Sequence, residues 1–126
     1  MKQAIMKPGV PPSPIYSPGI SAGGFIFVSG QGPLRPGSRK PVGETIEEQA
    51  KLTLENVQLV LKSAGCTMND CVKITVYLTD LNEYDRFNAV YQTFFSAPPP
   101  ARTLIGCALN FGIKVEIDAI AIEPSK

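Results

Sequence analysis

The 126-residue sequence contains no histidine and no tryptophan, and only three of its residues are cysteines. Without histidine the chain has no Ser-His or Cys-His nucleophilic pair, and it lacks the imidazole acid and base of many metal-independent ribonucleases. Three cysteines without histidine do not complete a typical zinc site, so we expect no bound metal. Any chemistry therefore uses Arg, Lys, Asp, Glu, Tyr, backbone groups or water.

Long hydrophobic runs and an excess of charge are missing as well. The net charge is +1, the N-terminus lacks the apolar region of a signal peptide, and no stretch approaches the roughly 20 apolar residues of a membrane span. The odd cysteine count fits reduced thiols, so we expect a cytoplasmic protein. The basic residues Arg35, Arg39 and Lys40 form a short loop group and no stripe, which makes nucleic acid an unlikely partner.

What the chain does contain is an ordered series of hydrophobic segments, with 44% hydrophobic and 18% charged residues. This size and balance are typical of one compact domain, to which we assign all of 1–126. The proline-rich stretch 8–18 predicts an extended arm, and 25–29 predicts a strand. Residues 30–43 predict a hairpin-like loop with a short strand near Pro41.

Two helices and three further strands are predicted in the rest of the chain. The run Thr45-Ile46-Glu47-Glu48 matches a capping box, and apolar spacing predicts a helix from there to Gly65. Residues 72–78 alternate with period two and predict the clearest strand. Asp80 and Glu83 resemble another capping box at the start of a second helix. That helix carries the stripe Phe87, Val90, Tyr91, Phe94 and Phe95, and the last two strands are predicted at 102–107 and 113–122.

Two helices can cover only one face of such a sheet, so we predict an α+β fold with a mixed β-sheet backed by two helices. Strands 25–29 and 113–122 are nevertheless apolar on both faces. An uncovered apolar face exceeds what monomers usually tolerate, so we expect a homo-oligomer packed sheet to sheet. A partly apolar face in contact with water is the simpler alternative.

Arg102 follows three prolines, Pro98-Pro99-Pro100, at the start of an otherwise apolar strand. Prolines end the preceding helix and stiffen the connection, so backbone geometry places the guanidinium. Its planar five-donor fork suits bidentate capture of a carboxylate or phosphate. The alternative is a structural role, in which Arg102 caps the strand end or pairs with a neighbouring acid.

Glu116 lies on the last predicted strand, on the face opposite Val115 and Ile117 and therefore toward the uncovered side of the sheet. Partial burial raises the pKa of a carboxyl group, while a nearby Arg or Lys lowers it. The sequence does not decide between these effects. A structural role as cross-strand partner of Lys114 or Arg102 stays open.

Five short motifs occur in order along nearly the whole chain: Tyr16-Ser17-Pro18-Gly19, Val28-Ser29-Gly30-Gln31, Phe87-Asn88-Ala89-Val90-Tyr91, Pro100-Ala101-Arg102 and Val115-Glu116-Ile117-Asp118-Ala119-Ile120-Ala121. Each motif alone is weak, but together they resemble the reactive-intermediate deaminase family, RidA/YjgF, which is also labelled L-PSP endoribonuclease. The resemblance implies a chorismate-mutase-like fold and a homotrimer with clefts between subunits.

The resemblance further implies hydrolysis of 2-imino or enamine acids to 2-keto acids and ammonia, with no cofactor. In that reaction Arg102 holds the substrate carboxylate, and Glu116 positions a water molecule for attack on the imine carbon. The substrate-binding residues carried over from the family are Tyr16, Ser29, Gly30, Asn88 and the backbone at Leu104. The implied partners are the small 2-imino or 2-keto acid and further copies of this chain.

The chain departs from the family pattern in two places. Many members have cysteine where this chain has Leu104, and the turn at 109–112 lacks the usual Leu-Pro and is one residue short. The role at position 104 is attributed to the backbone, so the first change is compatible with activity. The second concerns the reach of Glu116, because the turn sets the register of the strand that carries it.

Other functions stay open on the sequence. One is a non-catalytic module that binds a small carboxylate through Arg102, and another is a weak endoribonuclease or translation inhibitor. A third is a chaperone-like trimer that works through exposed apolar surface. The three cysteines are expected to be small buried hydrophobes, unless one is exposed and redox-sensitive; they are Cys66, Cys71 and Cys107.

Overall fold

The computed structural model describes residues 1–124, which form a six-stranded sheet with two α-helices. The strands are β1 (Gln3–Ile5), β2 (Gly19–Ala22), β3 (Phe25–Gln31), β4 (Cys71–Leu78), β5 (Ala101–Gly106) and β6 (Val115–Ile122), and the helices are α1 (Ile46–Ser63) and α2 (Tyr84–Tyr91). The strand order is β1-β2-β3-β6-β4-β5. β4 and β5 run parallel, and the other neighbours are antiparallel, which confirms the predicted mixed sheet.

The start of α1 follows the predicted capping box. The Thr45 hydroxyl accepts a hydrogen bond from the Glu48 amide at 3.2 Å, and Glu48 Oε1 accepts one from the Thr45 amide at 3.2 Å. Two of the amides that a helix leaves unpaired at its N-terminus are thereby satisfied. α1 packs against β3, β6 and α2, so its fixed start positions the whole helical layer.

The second helix begins differently from the prediction. Asp80 accepts from the Asn82 amide at 2.9 Å and opens a short 3-10 turn, Leu81–Glu83, before α2 starts at Tyr84. The Glu83 carboxylate does not reach back to close a capping box. It lies instead 3.6 Å from Lys114 Nζ and 3.8 Å from an Arg86 nitrogen, so attraction to two cations replaces the predicted cap.

Alternate residues of the central strands lie beneath the helices and form the core. These buried residues are Ile26, Val28, Ile74, Val76, Leu78, Val115 and Ile117, packed with Leu54, Val57 and Leu61 of α1. The other side of the sheet carries Phe25 and Phe27, which are 43% and 42% exposed, and no helix of residues 1–124 covers it. We call this side the open face; it also carries Thr75, Tyr77, Glu116, Asp118, Ile120 and Ile122. The predicted two-faced apolar strands are confirmed.

Two strands that the sequence analysis did not predict lie on either side of the proline-rich stretch 8–18. β1 and β2 flank it and add two antiparallel strands to the edge beside β3. The turn between β2 and β3 is Gly23-Gly24, with φ of 61° and 84°, a backbone that glycine adopts without strain. Two glycines between extended segments favour a hairpin, and this signal could have located β2.

The predicted loop at 30–43 contains a single bridge between Leu34 and Pro41 where a short strand was expected. β6 begins at Val115, two residues later than predicted, after a 3-10 turn at Asn110–Gly112 in which Phe111 has φ of 63°. Neither helix among the described residues is long and apolar enough to cross a membrane.

Candidate functional site

Arg102 lies near the start of β5, with its side chain toward the helical layer. It pairs in register with Ile74, a core residue, so both side chains lie on the helix-covered side of the sheet. One guanidinium nitrogen donates to Asn88 Oδ1 at 2.7 Å and another to the Tyr84 hydroxyl at 3.2 Å. Arg102 forms no salt bridge with a carboxylate of residues 1–124, so the alternative of an internal ion pair does not hold there.

The Arg102 guanidinium lies over two tyrosine rings of α2. Arg102 Cζ lies 4.8 Å from the centre of the Tyr91 ring and 5.7 Å from that of Tyr84. A cation within about 6 Å of an aromatic ring is attracted by the ring quadrupole. Burial raises the pKa of Tyr91 to about 12, so this ring remains a neutral support for the arginine.

Leu104 lies two residues further along β5, on the same side of the sheet as Arg102. It is partly buried and packs against the core, so its side chain has a structural position. β5 is an edge strand that pairs only with β4 within residues 1–124. The backbone of β5 therefore presents unpaired amide and carbonyl groups along one side, beside the arginine.

Glu116 lies on the open face, on the other side of the sheet from Arg102. It pairs in register with Tyr77, and its carboxylate has no salt-bridge partner within residues 1–124. Desolvation by burial, and after it the neighbouring Asp118 carboxylate, raise the pKa of Glu116 above its ordinary value. The proposed cross-strand pairing with Lys114 is wrong, because Lys114 pairs with Glu83.

Gly30 makes room for the Glu116 carboxylate. β3 has an irregular register between Val28 and Gln31, which places Gly30 against the side chain of Glu116 on β6. A Cβ atom at position 30 would collide with that carboxylate. Glycine is thus required by a close approach between a carboxylate and the backbone of the next strand.

Ser29 anchors the segment that carries Tyr16. Its hydroxyl donates to the Ser17 carbonyl oxygen at 2.6 Å, and its amide donates to the Pro18 carbonyl at 2.9 Å. Tyr16, 56% exposed, lines an open pocket together with Gly30. Ser29 therefore positions the arm, and its hydroxyl proton is already engaged.

The predicted site residues fall into two groups on opposite sides of the sheet. We call the first the arginine half-site, which consists of Arg102, Asn88, Tyr84, Tyr91 and the β5 backbone at Leu104. We call the second the glutamate half-site, which consists of Glu116, Gly30, Ser29 and Tyr16. Within one chain the sheet itself lies between Arg102 and Glu116, so one protomer does not bring both side chains to one ligand.

Sequence reasoning missed three tyrosines that lie beside the charged residues of the two half-sites. Tyr84 and Tyr91 lie on α2 seven residues apart, a spacing that places them on one helix face, and this signal was available in the sequence. Tyr77, whose hydroxyl donates to Asp118 Oδ2 at 2.9 Å beside Glu116, also has a raised pKa, about 12. Its contact depends on the pairing of β4 with β6, which periodicity alone does not specify.

The described residues bring no three His, Cys, Asp or Glu side chains together as a potential metal site. Cys66 and Cys71 are buried, and burial raises the pKa of both thiols, for Cys71 to about 12. Those two cysteines therefore behave as small hydrophobic residues at neutral pH.

A comparison with known proteins places this arrangement in a family. A family model described as Endoribonuclease L-PSP matches residues 8–123. The chain is 40% identical over 109 residues to a 2-iminobutanoate/2-iminopropanoate deaminase of Mus musculus, covering 86% of this chain and 81% of that protein. It is 42% identical over 113 residues to a RutC family protein of Pyrococcus abyssi, covering 87% and 89%. The crystal structure of the YjgF gene product of E. coli superposes with a TM-score of 0.86 at 33% identity, covering 97% of this chain and 99% of that chain.

Proposed function

Because the chain belongs to the Endoribonuclease L-PSP family, which also contains the RidA/YjgF deaminases, we propose that it hydrolyses reactive 2-imino acids to 2-keto acids and ammonia. Arg102 binds the substrate carboxylate, and Glu116 directs a water molecule to the imine carbon. The mouse relative is named for this reaction on two short imino acids. The chemistry suits a chain without histidine, since an imine is already electrophilic and needs mainly orientation and a poised water.

The observation that carries the proposal is the uncompensated charge of Arg102. Its guanidinium is held by neutral groups, the Asn88 amide, the Tyr84 hydroxyl and two rings, with no carboxylate partner among residues 1–124. These contacts fix the fork while leaving its charge available to an anion. A bound 2-imino carboxylate supplies the anionic partner that residues 1–124 do not provide.

Glu116 supplies the base. Its raised pKa brings the carboxyl group closer to the range in which it can accept a proton from water and return it. Water adds to the imine carbon while Glu116 takes its proton, and Glu116 returns that proton to the nitrogen to give a carbinolamine. That intermediate collapses to the keto group and releases ammonia. Overall, one imine and one water give one 2-keto acid and one ammonia.

The active site in this proposal is assembled from two protomers. Because the sheet separates Arg102 from Glu116 in one chain, the arginine half-site of one copy meets the glutamate half-site of its neighbour. The exposed Phe25, Phe27 and Ile122 of the open face provide the apolar surface for this association. A closed trimer uses each half-site once and leaves none unpaired.

The proposal is tested by the decay of 2-iminopropanoate and 2-iminobutanoate, generated in situ by a dehydratase and trapped with semicarbazide. We expect the wild-type protein to accelerate decay, and Arg102→Ala to lower kcat/KM roughly 10- to 100-fold, the effect of one charge-assisted contact. Arg86→Ala is the matched control, since Arg86 is an exposed arginine that pairs with Glu47. Saturable keto-acid binding without any turnover would identify a binding module and overturn the proposal.

A further inference from the structure

Lys7 is a buried cation that has no anionic partner among residues 1–124. Its residue is only 8% exposed, and its ammonium donates to the neutral Gln31 Oε1 at 3.1 Å. Gln31 is itself buried, and its Nε2 donates to the Ser29 carbonyl, which fixes Oε1 toward the lysine. An ammonium has three N–H donors, and Lys7 forms no salt bridge with a carboxylate of residues 1–124.

Lys7 lines an open pocket of about 380 Å³ that is positively charged. Arg35 and Arg39 line the same pocket, and its walls contain no Asp or Glu. Neither arginine has a salt bridge with a carboxylate among the described residues; the Arg39 guanidinium lies 5.4 Å from the Phe111 ring centre. We call this feature the cationic pocket. Three cations without a carboxylate partner among residues 1–124, one of them buried, favour an anion in this pocket.

The cationic pocket adjoins the glutamate half-site. Tyr16 and Gly30 belong to its walls, and Gly30 also borders the Glu116 carboxylate. The hydrogen bonds of Gln31 and Ser29 link Lys7 to the segment that carries Tyr16. Gly30 is therefore the residue at which the cationic pocket and the surroundings of the Glu116 carboxylate meet.

We propose that the cationic pocket binds a second acidic group on the substrate, so that the preferred substrates are 2-imino dicarboxylic acids such as 2-iminoglutarate. This inference rests on the proposed deaminase function, in which Arg102 takes the carboxylate next to the imine. Lys7, Arg35 and Arg39 then take the carboxylate at the far end of the side chain. Burial lowers the pKa of the Lys7 ammonium, and a carboxylate beside it offsets that effect by stabilising the charged form.

The experiment compares two imines in the trapping assay, 2-iminopropanoate and 2-iminoglutarate, generated by oxidases that act on alanine and on glutamate. We expect kcat/KM for 2-iminoglutarate to exceed that for 2-iminopropanoate about tenfold, as one added charge-assisted contact allows. Lys7→Met and Arg39→Gln each lower that ratio to near one. Lys40→Gln is the matched control, because Lys40 is exposed, adjacent to Arg39 and outside the pocket.

Calorimetric titration separates this inference from the deaminase function, since it needs no turnover. We expect 2-oxoglutarate to bind wild type about tenfold more tightly than 2-oxobutanoate does, and Lys7→Met or Arg39→Gln to remove the difference. Arg39→Gln keeps the test valid even if Lys7→Met fails to fold, because Arg39 is exposed. Turnover of 2-iminopropanoate with equal binding of both keto acids overturns the inference and leaves the deaminase proposal intact. Tight binding of inorganic phosphate alone also overturns it, since the pocket is then a phosphate site.

Discussion

The proposed binding of a carboxylate by Arg102 depends on the geometry of the guanidinium group as well as on its charge. Two of its nitrogens are occupied by Asn88 and Tyr84, and the plane is supported by Tyr91. An ammonium at the end of a flexible chain cannot reproduce two divergent hydrogen bonds and a stacked plane. In the proposed function Arg102 is therefore an anion receptor of defined shape, held by neutral neighbours and without a carboxylate partner among residues 1–124.

The substitution Arg102→Lys tests whether the guanidinium geometry is needed in addition to the positive charge. We expect kcat/KM for imine hydrolysis to fall about tenfold although the positive charge is kept, because the bidentate fork is lost. The free energy of unfolding should change little, since the side chain is only partly buried. Steady-state kinetics and urea denaturation provide the two readouts, with Arg86→Lys as the control. Full activity in Arg102→Lys would show that charge alone suffices.

The proposed role of Glu116 as base predicts a pH dependence of imine hydrolysis. Since its folded pKa is raised, we expect kcat/KM to decline as the pH falls through a value above the ordinary pKa of a glutamate, because the protonated acid cannot accept a proton from water. Glu116→Gln should lose most activity at every pH. A pH profile of wild type measures this directly, and an unchanged rate down to the ordinary glutamate range would contradict the role of Glu116 as base.

The same group also links pH to stability. A raised folded pKa means that Glu116 contributes stability below its unfolded pKa, and that this contribution is lost as the pH rises through the folded pKa. We therefore expect the free energy of unfolding of Glu116→Gln, relative to that of wild type, to increase as the pH rises from about 4 to about 8. Urea unfolding at both pH values checks the sign, and Glu44→Gln, at an exposed position, is the control. A relative loss at the higher pH would show that Glu116 has a cationic partner.

At the residue scale the sequence analysis named Arg102 and Glu116 as candidate site residues and missed the tyrosines beside them. Arg102 was identifiable because the proline run and the apolar strand isolate it, and Glu116 because β6 alternates with period two. The opposite orientation of the two residues was not apparent, since Ala101–Gly106 has no clean alternation of polar and apolar residues. The face of β5 is set by its parallel pairing with β4, which depends on tertiary structure.

Among the structural elements, α1 positions the loop after β3 as well as covering the sheet. Asn56, buried in the middle of α1, donates through Nδ2 to the carbonyl oxygens of Gly32 at 2.8 Å and Leu34 at 2.9 Å. These bonds satisfy two loop carbonyls that the sheet leaves unpaired. The loop from Gly32 onward forms one wall of the cationic pocket, so a helix residue shapes the pocket without binding an anion.

Asn56→Leu should therefore lower the free energy of unfolding by about 1–3 kcal/mol, because two buried carbonyl groups lose their donor. Gln58→Leu, an exposed change on the same helix, is the matched control and should alter stability by less than about 0.5 kcal/mol. Urea denaturation at neutral pH measures both variants. Equal stability of the two would mean that water replaces the amide at the loop carbonyls.

Elements with strong local signals were predicted well. The capping box of α1 and the period-two strand β4 formed as expected, because their determinants lie within a few residues. β1 and β2 were missed because both are short strands at one end of the sheet, where β2 pairs with β3 and β1 pairs with β2. The capping box expected at Asp80 and Glu83 did not form, because the Glu83 carboxylate pairs instead with Lys114, a residue distant in sequence.

For the whole molecule, the proposed trimer depends on the open face, through which the half-sites of two protomers are proposed to meet. Phe27→Glu places a charge at the centre of its apolar surface, next to Phe25 and across from Ile120. We expect this variant to be a folded monomer of 13.5 kDa, whereas wild type should have about three times that mass. Light scattering after gel filtration gives the mass, and circular dichroism confirms folding.

Leu59→Glu is the control for this substitution, because Leu59 is an exposed apolar residue on α1, outside the open face. It should keep the mass of wild type. The Phe27→Glu monomer should also lose imine hydrolysis, although Arg102 and Glu116 are intact, since each half-site then lacks its counterpart. An active Phe27→Glu monomer would show that a single chain suffices.

The most direct measurement of the composite site is complementation between two inactive variants. Arg102→Ala and Glu116→Gln are unfolded together in equal amounts, refolded and assayed for imine hydrolysis. If each site joins Arg102 of one protomer to Glu116 of its neighbour, random trimers restore about one quarter of wild-type activity. The reason is that the arginine half-site and the glutamate half-site of any one site are each intact in about half of the cases. Activity no greater than that of the two variants refolded separately would contradict the shared site.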